Sequence, residues 1–199
     1  MKIIELSEDT AMWQGIQNLQ RANDLKRGTG LHLSTILQDI AATVYPKDFS
    51  VREAGAEPEA QARMYWEVGN VLEDVMAQAL SARIRTWGKP EPRMVDGIWC
   101  SADGHDAKSK TIDEVKLTWK SARDFVGSPK WQVFMWQVLG YMHVWGATRG
   151  RIHVLHLNGD YRPPAPMKPK TYILRPSASE VLENWSMIVG HARDRRWLL

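Results

Sequence analysis

RMVDGIWCSADGHDAKSKTIDEVK, residues 93–116, sets two short β-like runs around a polar turn, with Asp96 closing the first run and Glu114-Val115-Lys116 inside the second. Successive side chains of a strand point to opposite faces, so Glu114 and Lys116 share one face while Val115 turns into the core. A hairpin returning from Asp96, with its turn centred on residues 102–110, is expected to bring a second carboxylate beside them. Two carboxylates and one ammonium converging on a point are costly, because like charges repel and all three lose water. A divalent cation removes that cost. Oxygen ligands of this kind, with no imidazole or thiolate cluster nearby, suit Mg²⁺ or Mn²⁺ better than Zn²⁺.

The chain around this segment is long enough, at 199 residues, for one well-buried core, and nothing in it reads as a linker. One domain over residues 1–199 is expected, of mixed α/β class. A formal charge of +3 is mild, so charge alone does not establish a nucleic-acid partner. Cys100 is the single cysteine, which excludes an intramolecular disulfide, a cysteine-rich zinc site and a four-cysteine iron–sulfur cluster. MKIIELSEDT has no apolar signal-like core, and no run of about 18 apolar residues occurs. A cytoplasmic location with no membrane association is the expectation. The ten tryptophans are spread widely, a pattern that fits packing better than a base-stacking platform.

Periodicity supplies the remaining elements. Trp13, Ile16 and Leu19 suggest a helix over residues 8–24. In residues 26–46, Ser34 stands ahead of Ile36, Leu37 and Ile40 on one helical face that Pro46 closes. Residues 47–59 read as a polar surface loop. From Glu59 to Arg85 the apolar positions Trp66, Val68, Val71, Leu72, Val75, Ala79 and Leu80 define one long helix, stopped by Gly88 and Pro90. Ser128-Pro129 caps an aromatic helix over residues 130–145, and Gly146 ends it. RIHVLHL (151–157) alternates as a strand, residues 158–170 form a proline-rich loop, and TYILRP resumes an extended run. A capping box from Ser177 to Glu180 opens a last helix that ends near Arg193. Strands bracketed by helices imply a central mixed sheet with helices on its faces.

Four pieces stand in a fixed order: Gly69-Asn70-Val71-Leu72-Glu73, Asp96-Gly97, Glu114-Val115-Lys116 and Gln137-Val138-Leu139-Gly140-Tyr141. This set resembles the PD-(D/E)XK nuclease superfamily, and within it the RecB-like and Cas4-like exonuclease branch. GLHLSTI, residues 30–36, is similar to the N-terminal segment of many such proteins, and the match spans roughly residues 29–145. Val95 stands where the family has proline, and Glu73 where RecB itself has histidine. The absence of a cysteine cluster sets the chain apart from the iron–sulfur types and closer to a stand-alone, phage-type nuclease.

The resemblance implies a restriction-endonuclease-like core and hydrolysis of phosphodiesters. Asp96, Glu114 and the Val115 carbonyl would hold Mg²⁺ or Mn²⁺, with Glu73 taking a second ion or one of the first ion's waters. Lys116 would orient the attacking water, and Gln137 with Tyr141, on one helical face, would fix the nucleophile or a DNA phosphate. DNA is the implied substrate, in recombination, repair or phage DNA metabolism, with a single-strand annealing protein or other recombination protein as partner. An endonuclease of restriction or junction-resolving type uses the same pieces, and a non-catalytic DNA-binding protein keeps the same fold. Each piece also has an ordinary reading, since Asp-Gly is common turn chemistry and Glu-x-Lys a common solvated strand face. His105, between Asp103 and Asp106, fits a solvated turn better than a metal clip. His153 and His156 lie on opposite strand faces and have no catalytic role in this reading. Lys108, Lys110, Lys116, Lys120, Arg123 and Lys130 surround the site, and such a cluster can track a phosphate backbone.

Overall fold

The computed structural model describes residues 30–49, 60–157 and 169–198, with side chains from residue 67 onward in the long helix. The helix expected over residues 8–24, most of the loop at 47–59 and most of the proline-rich loop lie outside the described residues.

Helix α1 (Leu33–Val44) buries Leu33, Ile36, Leu37, Ile40, Ala41 and Ala42, the stripe expected from its 3.6-residue period. Its cap is His32 rather than the neighbourhood of Ser34, and the His32 carbonyl accepts the N–H groups of Thr35 and Ile36. Helix α2 (Ala60–Arg83) matches the long helix, but most of its apolar stripe is not core. Val68, Val71 and Val75 are 47%, 64% and 57% exposed, and of the side chains described in that stripe only Leu80 is buried. The helix ends in a turn at residues 84–86, ahead of Gly88.

Five short strands then replace the two expected. They are β1 (Trp87–Gly88), β2 (Arg93–Val95), β3 (Ile98–Cys100), β4 (Gly104–Asp106) and β5 (Thr111–Thr118). Helix α3 (Pro129–Trp145) has Ser128 as its cap, accepting the Trp131 N–H, and ends on Gly146 at φ +62°, the left-handed geometry that favours glycine. Strands β6 (Arg149–His156) and β7 (Lys170–Leu174) follow, and α4 (Ala178–Asp194) opens with the complete Ser177–Glu180 capping box.

The main sheet has the order β1-β4-β5-β6-β7. β5 and β6 are parallel, joined through α3, and the other pairs are antiparallel, so the sheet is mixed. Helix α3 packs on β5 and β6, α1 and α4 pack on α3, and α2 lies along β5 and β1. The result is the central mixed sheet flanked by helices that the order of elements implies. No described helix is long and apolar enough to cross a membrane.

The ribbon β2–β3 corrects the expected hairpin. Asp96 and Gly97 are its two loop residues, between the paired Val95 and Ile98, and both have positive φ (+49° and +78°). A two-residue hairpin loop of matching twist requires that geometry, and Asp-Gly supplies it. The return to β5 is made instead by β4, whose segment Ala102–Asp106 falls within the polar turn expected at residues 102–110. It has no apolar alternation, so nothing local marked it as a strand. Only residues 107–110 form the exposed turn.

Of the tryptophans described with their side chains, Trp87, Trp131, Trp145 and Trp185 are buried, as a packing role requires. Trp119 and Trp197 are exposed.

Candidate active site

Strand β5 is buried on both faces from Thr111 to Val115, so its two carboxylates are solvated by protein or not at all. Asp113 is fully satisfied. Arg151 grips it through two bonds, Nε to Oδ1 at 2.6 Å and a second guanidinium nitrogen to Oδ2 at 2.7 Å. Trp87 Nε1 donates to Oδ2 at 3.1 Å, and His153 Nε2 lies 2.7 Å from Oδ1 while its Nδ1 meets Thr171 Oγ1. Burial alone would raise the Asp113 pKa, but the bonds from His153 and Arg151 outweigh it and hold the carboxyl below its ordinary range.

Glu114, one residue on and on the opposite face, is the reverse case. Its side chain is wholly buried, and neither carboxylate oxygen accepts a directed hydrogen bond. Its contact is the Lys116 ammonium, which pairs with Oε1. Burial, then the charge of Asp103, push the Glu114 pKa well up, and Lys116 only partly opposes them. Lys116 moves up as well: burial disfavours its charge, but Glu114 and Asp103 more than compensate.

The second carboxylate of this cluster is Asp103, not Asp96. Residues 104 and 113 are paired across β4 and β5, and extending that register by one residue sets Asp103 opposite Glu114. Asp103 Oδ2 accepts the Val115 N–H at 2.7 Å, which ties the two strands at the site. Burial raises the Asp103 pKa while Lys116 opposes it. Asp96 instead accepts a hydrogen bond from Trp185 Nε1 at 2.8 Å, in the hairpin loop beside α4. His105 lies within β4 rather than in a turn, and Asp106 is occupied by Thr86 and Ser109, so the three do not form a clip.

Glycine is required after Asp103. A Cβ on Gly104 would lie 2.3 Å from the Trp87 ring, so the indole that reaches Asp113 rests directly on the Gly104 backbone. The second Asp-Gly is therefore where the sheet closes around the acids.

From α2, Glu73 enters the same electrostatic neighbourhood, acting on Asp103, Glu114 and Lys116. It also pairs with Lys89 at 2.5 Å, a partner the sequence reading did not name. From α3, Gln137 Nε2 donates to the Tyr141 hydroxyl at 3.0 Å, as their four-residue spacing allows. Burial and the nearby Glu114 charge push the Tyr141 pKa well above its ordinary value, so the phenol keeps its proton. The structure thus brings Glu73, Glu114, Val115, Lys116, Gln137 and Tyr141 around one point, adds Asp103 and Lys89, and sets Asp96 aside. Asp103 had one legible signal, because a hairpin turning at residues 107–110 pairs it with Glu114.

Among the described residues, no three His, Cys, Asp or Glu side chains converge tightly enough to enclose a metal ion by themselves. The carboxylates of Glu114 and Asp103 form a partial, all-oxygen set. Glu114 Oε1 meets only the Lys116 ammonium and Oε2 has no hydrogen-bond partner among the described residues, so a cation would satisfy both oxygens. Mg²⁺ is commonly held by one or two carboxylates and completes its shell with water and phosphate oxygens, so this donor set fits it.

No protein-family model matches the chain, and no curated protein does. Solved structures nevertheless share its fold. A phage-related exonuclease from Haemophilus somnus 129PT superposes with a TM-score of 0.55 at 14% identity, covering 88% of this chain and 96% of that one. LHK-Exo, solved in complex with dAMP, gives 0.52 at 12% identity, with 84% and 88% covered. The protein SSO0001 gives 0.57 at 12% identity, with 92% and 84% covered. These likenesses establish a common architecture over most of each chain.

Proposed function

We propose that this protein is a Mg²⁺- or Mn²⁺-dependent deoxyribonuclease, acting as an exonuclease of the RecB-like type in phage DNA metabolism, recombination or repair. The observation that carries this reading is Glu114: a wholly buried carboxylate with no directed hydrogen bond, facing Asp103 and Lys116. Such an arrangement destabilises a protein unless a cation occupies it. The shared architecture with a phage-related exonuclease, and with a fold solved around a deoxynucleotide, supports DNA as the substrate.

Glu114, Asp103 and the Val115 carbonyl would hold the ion, and Glu73 would bind a water beside it. A bound divalent cation supplies charge neutralisation, a polarised phosphodiester and a more acidic water. Lys116, held in place by Glu114, sets a positive charge where negative charge builds on the phosphoryl oxygens. Tyr141 accepts from Gln137, which leaves its own O–H free to donate to a phosphate oxygen or to the nucleophile. Asp113, with Arg151 and His153, holds β5 in register so that Glu114 and Lys116 stay aligned.

The test is cleavage of linear, circular and single-stranded DNA by wild type and Lys116→Ala, each with Mg²⁺, Mn²⁺ or EDTA. Metal-dependent loss of linear DNA alone, abolished in the variant, is expected. Nicked circles would make the enzyme an endonuclease, and DNA binding without cleavage would leave a non-catalytic binding protein.

A further inference from the structure

Lys116 is not the only ammonium at this site. Lys130, in the first turn of α3, places its Nζ 5.8 Å from the centroid of the Phe134 ring, and Lys116 Nζ lies 5.6 Å from the same centroid. Lys120 belongs to the same cluster and acts electrostatically on Lys130. The Lys120 backbone is pinned at both ends, its N–H donating to Thr118 Oγ1 at 3.2 Å and its carbonyl meeting His156 Nδ1 at 2.8 Å. Lys116 is matched by Glu114, whereas no described carboxylate pairs with Lys130. Burial, then Lys116 and Lys120, lower the Lys130 pKa. The first turn of a helix is also the wrong end for a cation, since the helix dipole is positive there.

A lysine free to swing into water would escape these costs, but the Lys130 head is held against Phe134, half-buried, with like charges on two sides. Such a cluster is stabilised when an anion completes it. A single point charge on a flexible stem suits a phosphate oxygen rather than a planar carboxylate.

We propose that Lys130, with Lys120 beside it, forms a subsite for a DNA backbone phosphate next to the phosphate addressed by Lys116 and Glu114. This rests on the nuclease reading and assigns part of its substrate grip. The subsite lies at the C-terminal end of β5, the end at which open parallel strands receive ligands. It would fix the register of the strand relative to the acids through a contact that carries no base information.

Binding of a fluorescent DNA duplex is measured over a range of KCl concentrations, with Glu114→Gln protein so that nothing is cut and with wild type in EDTA. Lys130→Met keeps the stem against Phe134 and removes only the charge, and circular dichroism melting checks its fold. The expected result is affinity weakened roughly 5- to 10-fold, and a plot of log K against log salt shallower by about one. A neutral methylphosphonate is then walked along the linkages around the cleaved bond. At one linkage it should weaken Glu114→Gln but have no further effect in the Lys130→Met, Glu114→Gln double variant. Unchanged affinity and slope in Lys130→Met, in a wild type that binds and cuts DNA, overturn the subsite alone. A wild type that neither binds nor cuts DNA overturns the nuclease reading and the subsite with it.

Discussion

Asp103 stands across the β4–β5 pairing from Glu114 and takes the Val115 N–H at 2.7 Å, so one carboxylate fixes the strand that carries the other. Among the described residues, Lys116 opposes the charge of both carboxylates and Lys89 opposes that of Asp103.

Asp103→Asn should reduce Mg²⁺-dependent DNA cleavage by about a hundredfold or more, the scale of losing one charge at a preorganised site. Asp96→Asn should retain activity and cost about 1 kcal/mol of stability through its bond to Trp185. Initial rates of the two variants decide the matter, and an active Asp103→Asn beside an inactive Asp96→Asn would refute the assignment.

Glu114 and Asp103 both have folded-state pKa values above their unfolded ones. Above about pH 4, where unfolded carboxyls ionise, the native state therefore holds more protons than the unfolded state. Stability without metal should fall as pH rises through the raised values. Mg²⁺ should raise the melting temperature more at pH 8 than at pH 5.5, and Glu114→Gln should flatten that difference. Melting curves in EDTA and in Mg²⁺ at the two pH values test it; equal shifts at both would count against a cation at Glu114.

Asp113 runs the other way. Its lowered pKa contributes stability that is present above the unfolded carboxyl range and lost as pH falls through the folded value. Asp113→Asn leaves Arg151 and His153 without their anion and should cost about 3–5 kcal/mol in urea denaturation at pH 7. A loss under about 1 kcal/mol would mean that the network does not tether β5.

Gly104→Ala places a methyl 2.3 Å from the Trp87 ring. Trp87 must shift, and with it the bond to Asp113 and the strand carrying Asp103. About 1–3 kcal/mol of destabilisation is expected, with changed near-ultraviolet circular dichroism and reduced cleavage. A spectrum identical to wild type would show that the indole does not rest on this backbone.

Tyr141→Phe should leave the fold intact and slow cleavage by about tenfold or more through loss of a hydroxyl donor. Because the phenol stays protonated far above neutrality, the pH–rate profiles of wild type and variant should be parallel between pH 7 and 9. A wild-type profile with a break in that range that the variant lacks would give Tyr141 a titrating role instead.

Much of this protein is legible from local chemistry. Ser128-Pro129 and Gly146 bound α3, Ser177 and Glu180 open α4, and the alternation of β5 puts Glu114 and Lys116 together. Each is decided within a few residues, by a cap, a turn or a two-residue period. The Gln137–Tyr141 pair is legible for the same reason, since four residues along a helix is one turn.

Tertiary structure decided which aspartate joins Glu114. Asp96-Gly97 and Asp103-Gly104 are chemically alike, and no local rule separates them. The choice was made by pairing over distance: Asp96 is claimed by Trp185, 89 residues away, while β4 adds to β5 in a register that sets Asp103 opposite Glu114. Asp113 and Glu114 are likewise adjacent acids on one strand, yet Arg151 and His153 arrive from β6 to satisfy one, while among the described residues the other has only Lys116 of its own strand. Local sequence determines which groups each element presents; the packing of distant elements determines which of those charges is left without a full set of hydrogen bonds.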